Sequence, residues 1–76
     1  MEKLMAILAD IRPDLDFEKE EKLFDEGILD SFDIISIVSE VNISFDININ
    51  VVDLEPENFN SAQAIWNLIE RYQLNS

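Results

Sequence analysis

The N-terminal segment has the hydrophobic spacing of an amphipathic helix. Its apolar residues recur at i, i+3, i+4 and i+7, at Leu4, Ile7, Leu8 and Ile11. This spacing places them on one face of a helix. Pro13 disfavours helical geometry at the residue before it, Arg12. The pattern therefore predicts a first helix over residues 2–11.

Residues 12–30 follow no sustained period, although they contain six large apolar residues: Leu15, Phe17, Leu23, Phe24, Ile28 and Leu29. This composition predicts a long loop held on the core by its side chains rather than a free linker. Gly27 is the only glycine of the protein. We expect it to occupy a turn that requires a positive φ.

A second helical pattern covers residues 31 to about 44. The residues predicted to be buried fall in one arc of about 120° on a helical projection. They are Ile34, Ile35, Val38, Val41 and Phe45, and Asp33, Ser36 and Glu40 gather opposite them. Either Asp30 or Ser31 would cap this helix, because both side chains can accept a hydrogen bond from a first-turn N–H group.

The C-terminal part of the chain predicts a loop, a short turn and a last helix. Residues 45–50, FDININ, alternate in polarity but have no partner strand, which favours a loop. Pro56 suits a first helical position, and a short turn there would pack Val52, Leu54 and Phe59. Asn60 and Gln63 form a capping signal for the last helix. The buried stripe of that helix is predicted to be Ala62, Ile65, Trp66, Ile69 and Tyr72.

These elements predict an all-α fold: one domain, residues 1–76, built as a small bundle of three main helices plus a short fourth. A long loop joins helices 1 and 2. A chain of 76 residues can bury one modest core, and 47% apolar residues suffice for it. We expect a monomer.

The protein is strongly acidic. Seventeen acidic and five basic residues give a formal net charge of −12. A polyanion of this density should be repelled by nucleic acid and by anionic membranes, so basic protein surfaces are the expected partners. No apolar run approaches membrane-spanning length, and the N-terminus is too short and acidic for a signal peptide. We therefore expect no membrane insertion and a cytoplasmic location.

Cysteine and histidine are both absent from the sequence. The chain therefore lacks a thiol nucleophile, the Ser-His and Cys-His arrangements and the usual neutral-pH base. We expect no catalytic residues and no enzyme activity. The carboxylates of residues 14–18 suggest a calcium loop, but Lys19 stands where an EF-hand needs glycine. A solvated charged surface without a metal site is the preferred interpretation.

Ser31 has two interpretations, a helix cap or an attachment point. The stretch LFDEGILDSFDIISIVSEV, followed by FDININ and a closing amphipathic helix, resembles the acyl carrier proteins from about Leu23 to Tyr72. In that family the serine of a D-S-[LM] motif is esterified by the 4'-phosphopantetheine arm of coenzyme A. The resemblance implies that Ser31 is the attachment point and that Asp30 and Phe32 complete the motif. Phe32 stands where leucine or methionine is usual.

The segment before the last helix is similar to the D-alanyl carrier proteins of teichoic acid modification. Glu57, Phe59, Asn60 and Ser61 match an acidic residue, an aromatic residue and the first two places of a D-T-P pattern. Asn50 and Ala62 stand where prolines are common.

The resemblance implies a carrier that holds acyl or aminoacyl groups as thioesters. Its partners would be a phosphopantetheinyl transferase, an acyl- or aminoacyl-activating ligase, and an acyltransferase or synthase. We expect these partners to bind Asp33, Ser36 and Glu40 through charge. The alternative is an unmodified acidic adaptor that docks a basic partner helix on the same residues.

Overall fold

The computed structural model describes residues 2–74. It contains three α-helices: α1 (Glu2–Ile11), α2 (Ser31–Phe45) and α3 (Ala62–Leu74). Two 3₁₀ turns, Val51–Asp53 and Pro56–Asn58, lie between α2 and α3. No strand occurs within residues 2–74. The predicted all-α bundle is confirmed, with two 3₁₀ turns where one short helix was expected.

The first helix ends where the sequence predicts. Leu4 and Leu8 are fully buried, and the Arg12 N–H still donates to the Leu8 carbonyl at 2.9 Å. Pro13 follows and cannot donate the next such bond.

The long loop is held on the core, as predicted. Phe17, Leu23 and Leu29 are buried. The Leu23 N–H donates to the Asn60 carbonyl at 2.9 Å, which joins the loop to the segment before α3. Gly27 has a φ of +72°, so the predicted turn is confirmed.

α1 packs against α2, and a basic side chain links the helices at each end. Lys3, at the start of α1, donates to the Ser44 carbonyl at 2.5 Å, and its Nζ lies 5.1 Å from the centre of the Phe45 ring. Arg12, just after α1, contacts Asp33 in the first turn of α2. The two helices therefore run antiparallel.

The buried face of α2 differs from the prediction. Ile34, Ile37 and Val41 are buried, whereas Ile35 is 57% exposed. Positions i, i+3 and i+7 form one face, and this face packs against the core. The sequence offers more apolar residues on α2 than one face can bury, so the choice of Ile35 over Ile37 was wrong.

The segment between α2 and α3 is irregular, as predicted for residues 45–50, except that Phe45 still belongs to α2. Asp46 ends α2 in the left-handed region, with φ 54°. Pro56 begins the second 3₁₀ turn, and Phe59 after it is buried. Val52 is 70% exposed, so its predicted packing was wrong. It lies on the solvent side of a single turn, where only one face can reach the core.

α3 buries the residues Ala62, Ile65, Leu68 and Ile69. Trp66 is partly buried, with its ring edge-on to Phe45 at 5.8 Å between centroids. Tyr72 is also partly buried; its hydroxyl donates to Asp53 and accepts from the Asn50 N–H at 2.8 Å.

The predicted Asn60–Gln63 cap of α3 was wrong. The Ser61 hydroxyl accepts from the Ala64 N–H at 3.0 Å. The Asn60 side chain instead accepts from the N–H groups of Phe24 and Asp25, at 3.1 and 3.0 Å. The Asn60 side chain, which the local pattern assigned to the cap of α3, therefore bonds the backbone of the long loop instead.

None of the helices described over residues 2–74 combines the length and the apolar character needed to cross a membrane.

Candidate functional site

Ser31 is the first residue of α2 and is exposed. Asp30, not Ser31, caps the helix: its Oδ1 accepts from the Asp33 N–H at 3.0 Å. In return, Asp33 Oδ2 accepts from the Asp30 N–H at 3.3 Å. This reciprocal pair is a complete capping box. The Ser31 side chain is therefore not needed to start the helix.

The backbone around Ser31 suits an attached phosphate. The first N–H groups of a helix have no acceptor within it, and the aligned peptide dipoles place partial positive charge there. The Asp30 side chain accepts from the Asp33 N–H. The N–H groups of Ser31 and Phe32 also lie in the first turn, where N–H groups have no acceptor within the helix. Their partial positive charge would favour a phosphate ester at this end of the helix.

Arg12 joins three segments next to this site. Its Nη1 donates to Asp33 Oδ2 at 2.5 Å and to the Ile28 carbonyl at 3.1 Å. Its Nε and Nη2 each donate to the Asp14 carboxylate at 3.1 Å. The guanidinium thus connects the end of α1, the loop before Ser31 and the capping box. No local signal in the sequence marks Arg12 for this role, because Ile28 and Asp33 lie 16 and 21 positions away.

These contacts keep the group charged. Hydrogen bonds to Asp14 and Asp33 raise the pKa of Arg12 above its usual value. The hydrogen bond from Arg12 is also the main reason why the pKa of Asp14 is lowered. The Arg12–Asp14 pair therefore remains ionised across the neutral pH range.

The other predicted site residues lie along α2 and differ in exposure. Phe32 lies next to Ser31 and is 80% exposed. The Asp33 side chain is only 17% exposed, because it bonds Arg12 and the capping backbone. Ser36 is exposed. Glu40 borders a cleft of about 290 Å³ between α1 and α2, together with Ile7, Asp10 and Ile11.

The carboxylates of the loop after α1 serve separate contacts. Asp14 pairs with Arg12, while Asp16 accepts from the Glu18 N–H at 3.2 Å and lies 3.9 Å from the Lys19 ammonium. Within residues 2–74, no three metal-ligating side chains are grouped so that they could hold an ion.

No protein-family model matches this chain, and no curated protein is significantly similar to it.

Proposed function

We propose that this protein is a carrier whose Ser31 hydroxyl accepts the 4'-phosphopantetheine arm of coenzyme A. The observation that carries the proposal is the division of roles at the start of α2. Asp30 caps the helix, so the exposed Ser31 is left with no capping role. The resemblance of the surrounding sequence to acyl carrier proteins supports the same interpretation.

The residues present fit such an arm. An exposed hydroxyl at a helix N-terminus can carry a phosphodiester, whose negative charge the helix dipole favours. In the transfer, an O–P bond forms at Ser31 Oγ and the pyrophosphate bond of coenzyme A breaks. The nucleotide part leaves, and a base of the transferase takes the serine proton, because this chain contains no histidine.

The arm would supply the thiol that the chain lacks. An acyl- or aminoacyl-activating ligase would load this thiol as a thioester, and an acyltransferase or synthase would receive the group. The similarity of residues 57–61 to the D-alanyl carrier proteins makes D-alanine, used in teichoic acid modification, the proposed cargo. The proposal assigns the chain no catalysis of its own and places it in the cytoplasm, where coenzyme A is available.

Intact-protein mass spectrometry tests the proposal. Wild-type protein and the Ser31→Ala variant are incubated with coenzyme A and several broad-specificity phosphopantetheinyl transferases. Ser36→Ala is the matched control, because Ser36 is a second exposed serine of α2. We expect one arm on wild type and on Ser36→Ala, and none on Ser31→Ala. Unmodified wild type would refute the carrier function, and a modified Ser31→Ala would refute the site.

A loading assay then tests the cargo. The modified protein is offered D-alanine with a D-alanine-activating ligase and, separately, fatty acyl groups with an acyl ligase. A mass gain that hydroxylamine reverses identifies a thioester. Loading with fatty acyl groups alone would leave the carrier function intact and exclude D-alanine.

An unmodified acidic adaptor is the second candidate function. The exposure of Phe32 favours it, because an adaptor needs an apolar contact beside its charged surface. It requires no arm, so the same mass measurement separates the two functions.

A further inference from the structure

A groove of about 580 Å³ lies between the start of α1, the long loop and the start of α3. Its floor is apolar and consists of Met5 from α1, Phe17 from the loop and Ala62 from α3. Phe17 and Ala62 are buried, and Met5 is half-buried. Side chains from three separate segments therefore form one apolar floor.

Four carboxylates surround this floor: Glu2, Glu18, Glu20 and Glu21. The floor and these four residues are called the acidic groove below. Among residues 2–74, no basic side chain lines the groove, and none of the four carboxylates has an ion-pair or hydrogen-bond partner. Neighbouring carboxylates repel one another, so a cation bound between them would relieve that repulsion.

We propose that the acidic groove is a docking site for a basic segment of a partner protein, which inserts one apolar side chain between flanking lysine or arginine residues. The apolar side chain covers the floor and is removed from water, which favours binding. The flanking cations face the glutamates, so the charges of the two surfaces are complementary. The inference is independent of the proposed function, because no residue of the groove belongs to the Ser31 site.

The acidic groove and Ser31 lie at opposite ends of the α1–α2 pair. Lys3, adjacent to Glu2 of the groove, contacts Ser44 at the end of α2, whereas Arg12 contacts the first turn of α2. Ser31 and Ser44 are 13 positions apart, which is about 20 Å along a helix axis. A segment bound in the groove therefore leaves Ser31 uncovered. The groove would hold the protein on one partner while a different enzyme acts on Ser31.

Other occupants fit the acidic groove less well. Nucleic acid and anionic membranes are repelled by its carboxylates. A second copy would bring two chains of net charge −12 together, which opposes association. A free polyamine has the required charge, but its chain carries no bulky apolar group to cover the floor. The polyamine is therefore one of the outcomes of the test below.

Isothermal titration calorimetry with synthetic peptides tests the proposal. The probe is a nonapeptide with a central leucine between two pairs of lysine, separated by glycine. One matched peptide has serine in place of the leucine, and another has glutamate in place of the lysines. Wild type should bind the leucine peptide at least about fivefold more tightly than the serine peptide, because only leucine buries apolar surface, and should not bind the glutamate peptide. No saturable binding of the leucine peptide, or equal binding of the serine peptide, would overturn the proposal.

Two double variants separate the acidic groove from the general charge of the protein. Glu18→Gln with Glu21→Gln removes two charges from the groove, and Glu26→Gln with Glu70→Gln removes two exposed charges elsewhere. The first variant should weaken binding of the leucine peptide about three- to tenfold, and the second less than about twofold. Circular dichroism verifies that both variants are folded. Equal losses would show that the peptide binds through net charge alone and would overturn the site.

Amide chemical shifts of ¹⁵N-labelled protein locate the bound peptide. The changes should cluster at Met5, Phe17 and Gln63, which line the groove, and Ser31→Ala should bind the peptide as wild type does. Changes centred on Ser31 would overturn the proposal, as would displacement of the leucine peptide by an equal concentration of spermidine. Peptide binding needs no arm, so a failure of phosphopantetheine transfer would refute the carrier function and leave the groove standing. A failure of peptide binding would do the reverse.

Discussion

Replacing Asp30 by alanine should destabilise the protein more than replacing its neighbour Ser31. Asp30→Ala removes the oxygen that accepts from the Asp33 N–H at 3.0 Å. Loss of an N-cap costs about 1 kcal/mol, within a range of about 0.5–2 kcal/mol. For a domain of this size, about 1 kcal/mol lowers the melting temperature by about 4–8 °C.

Ser31→Ala should change the free energy of unfolding by less than about 0.5 kcal/mol. The serine occupies the first helical position, where its hydroxyl caps nothing, and alanine has the highest helix propensity. Asp30→Asn is the matched control for charge. Asparagine keeps the accepting oxygen and caps about as well as aspartate, so this variant should stay close to wild type.

Urea and thermal unfolding of unmodified protein, followed by circular dichroism at constant ionic strength, measure these differences. The urea m-value should be the same for all variants, which shows that only stability has changed. A loss in Ser31→Ala equal to that in Asp30→Ala would refute the reasoning. Ser31 would then have a structural reason to be present, and its exposure would no longer point to modification.

Three further predictions concern the fold. Gly27→Ala should cost about 1–2 kcal/mol through backbone conformation alone, because φ is +72° and no atom beyond the two adjacent residues lies within 4 Å of an added Cβ; urea unfolding measures this. Ile65→Ala should cost about 2–5 kcal/mol, because Ile65 is fully buried, whereas Ile35→Ala should cost less than about 1 kcal/mol; equal losses would contradict the assigned core. The pKa of Tyr72 lies above its usual 10.0, mainly because the side chain is buried and secondly because it bonds Asp53. Tyr72 therefore contributes its full stabilisation to the folded state below pH 10, and this stabilisation is lost as pH rises through the higher folded pKa. Tyr72→Phe should lessen this alkaline loss in urea titrations, and an unchanged profile would assign it to other groups.

The bounds of α1, the turn before α2 and the start of α2 could be predicted from local sequence signals. The apolar spacing of residues 2–11 and Pro13 give the bounds of α1, and the single glycine marks the turn before α2. The motif at Asp30 and Ser31 lies where the sequence placed it, at the start of α2. Each of these features depends on residues close together in the chain, so a sequence pattern suffices.

Features that depend on distant residues could not be predicted. The contact of Arg12 with Asp33 spans 21 positions and exists only when α1 and α2 pack. The choice of Ile37 over Ile35 for the core also depends on that packing. Asn60 has the local signature of a cap, but the backbone of the long loop competes for its side chain. Tertiary contacts determine the Arg12–Asp33 pair, the burial of Ile37 and the hydrogen bonds of Asn60.

The bonds of Asn60 also bear on the order in which the protein folds. Its side chain accepts from Phe24 and Asp25 and donates to Asp25, across 35 and 36 positions of the chain. Closing so long a segment costs entropy that these bonds recover only once the helices are docked. We therefore expect the long loop to form its native contacts with Asn60 after the folding transition state. Asn60→Ala should accelerate unfolding and leave the refolding rate almost unchanged in stopped-flow experiments, and slower refolding would place the loop in the nucleus.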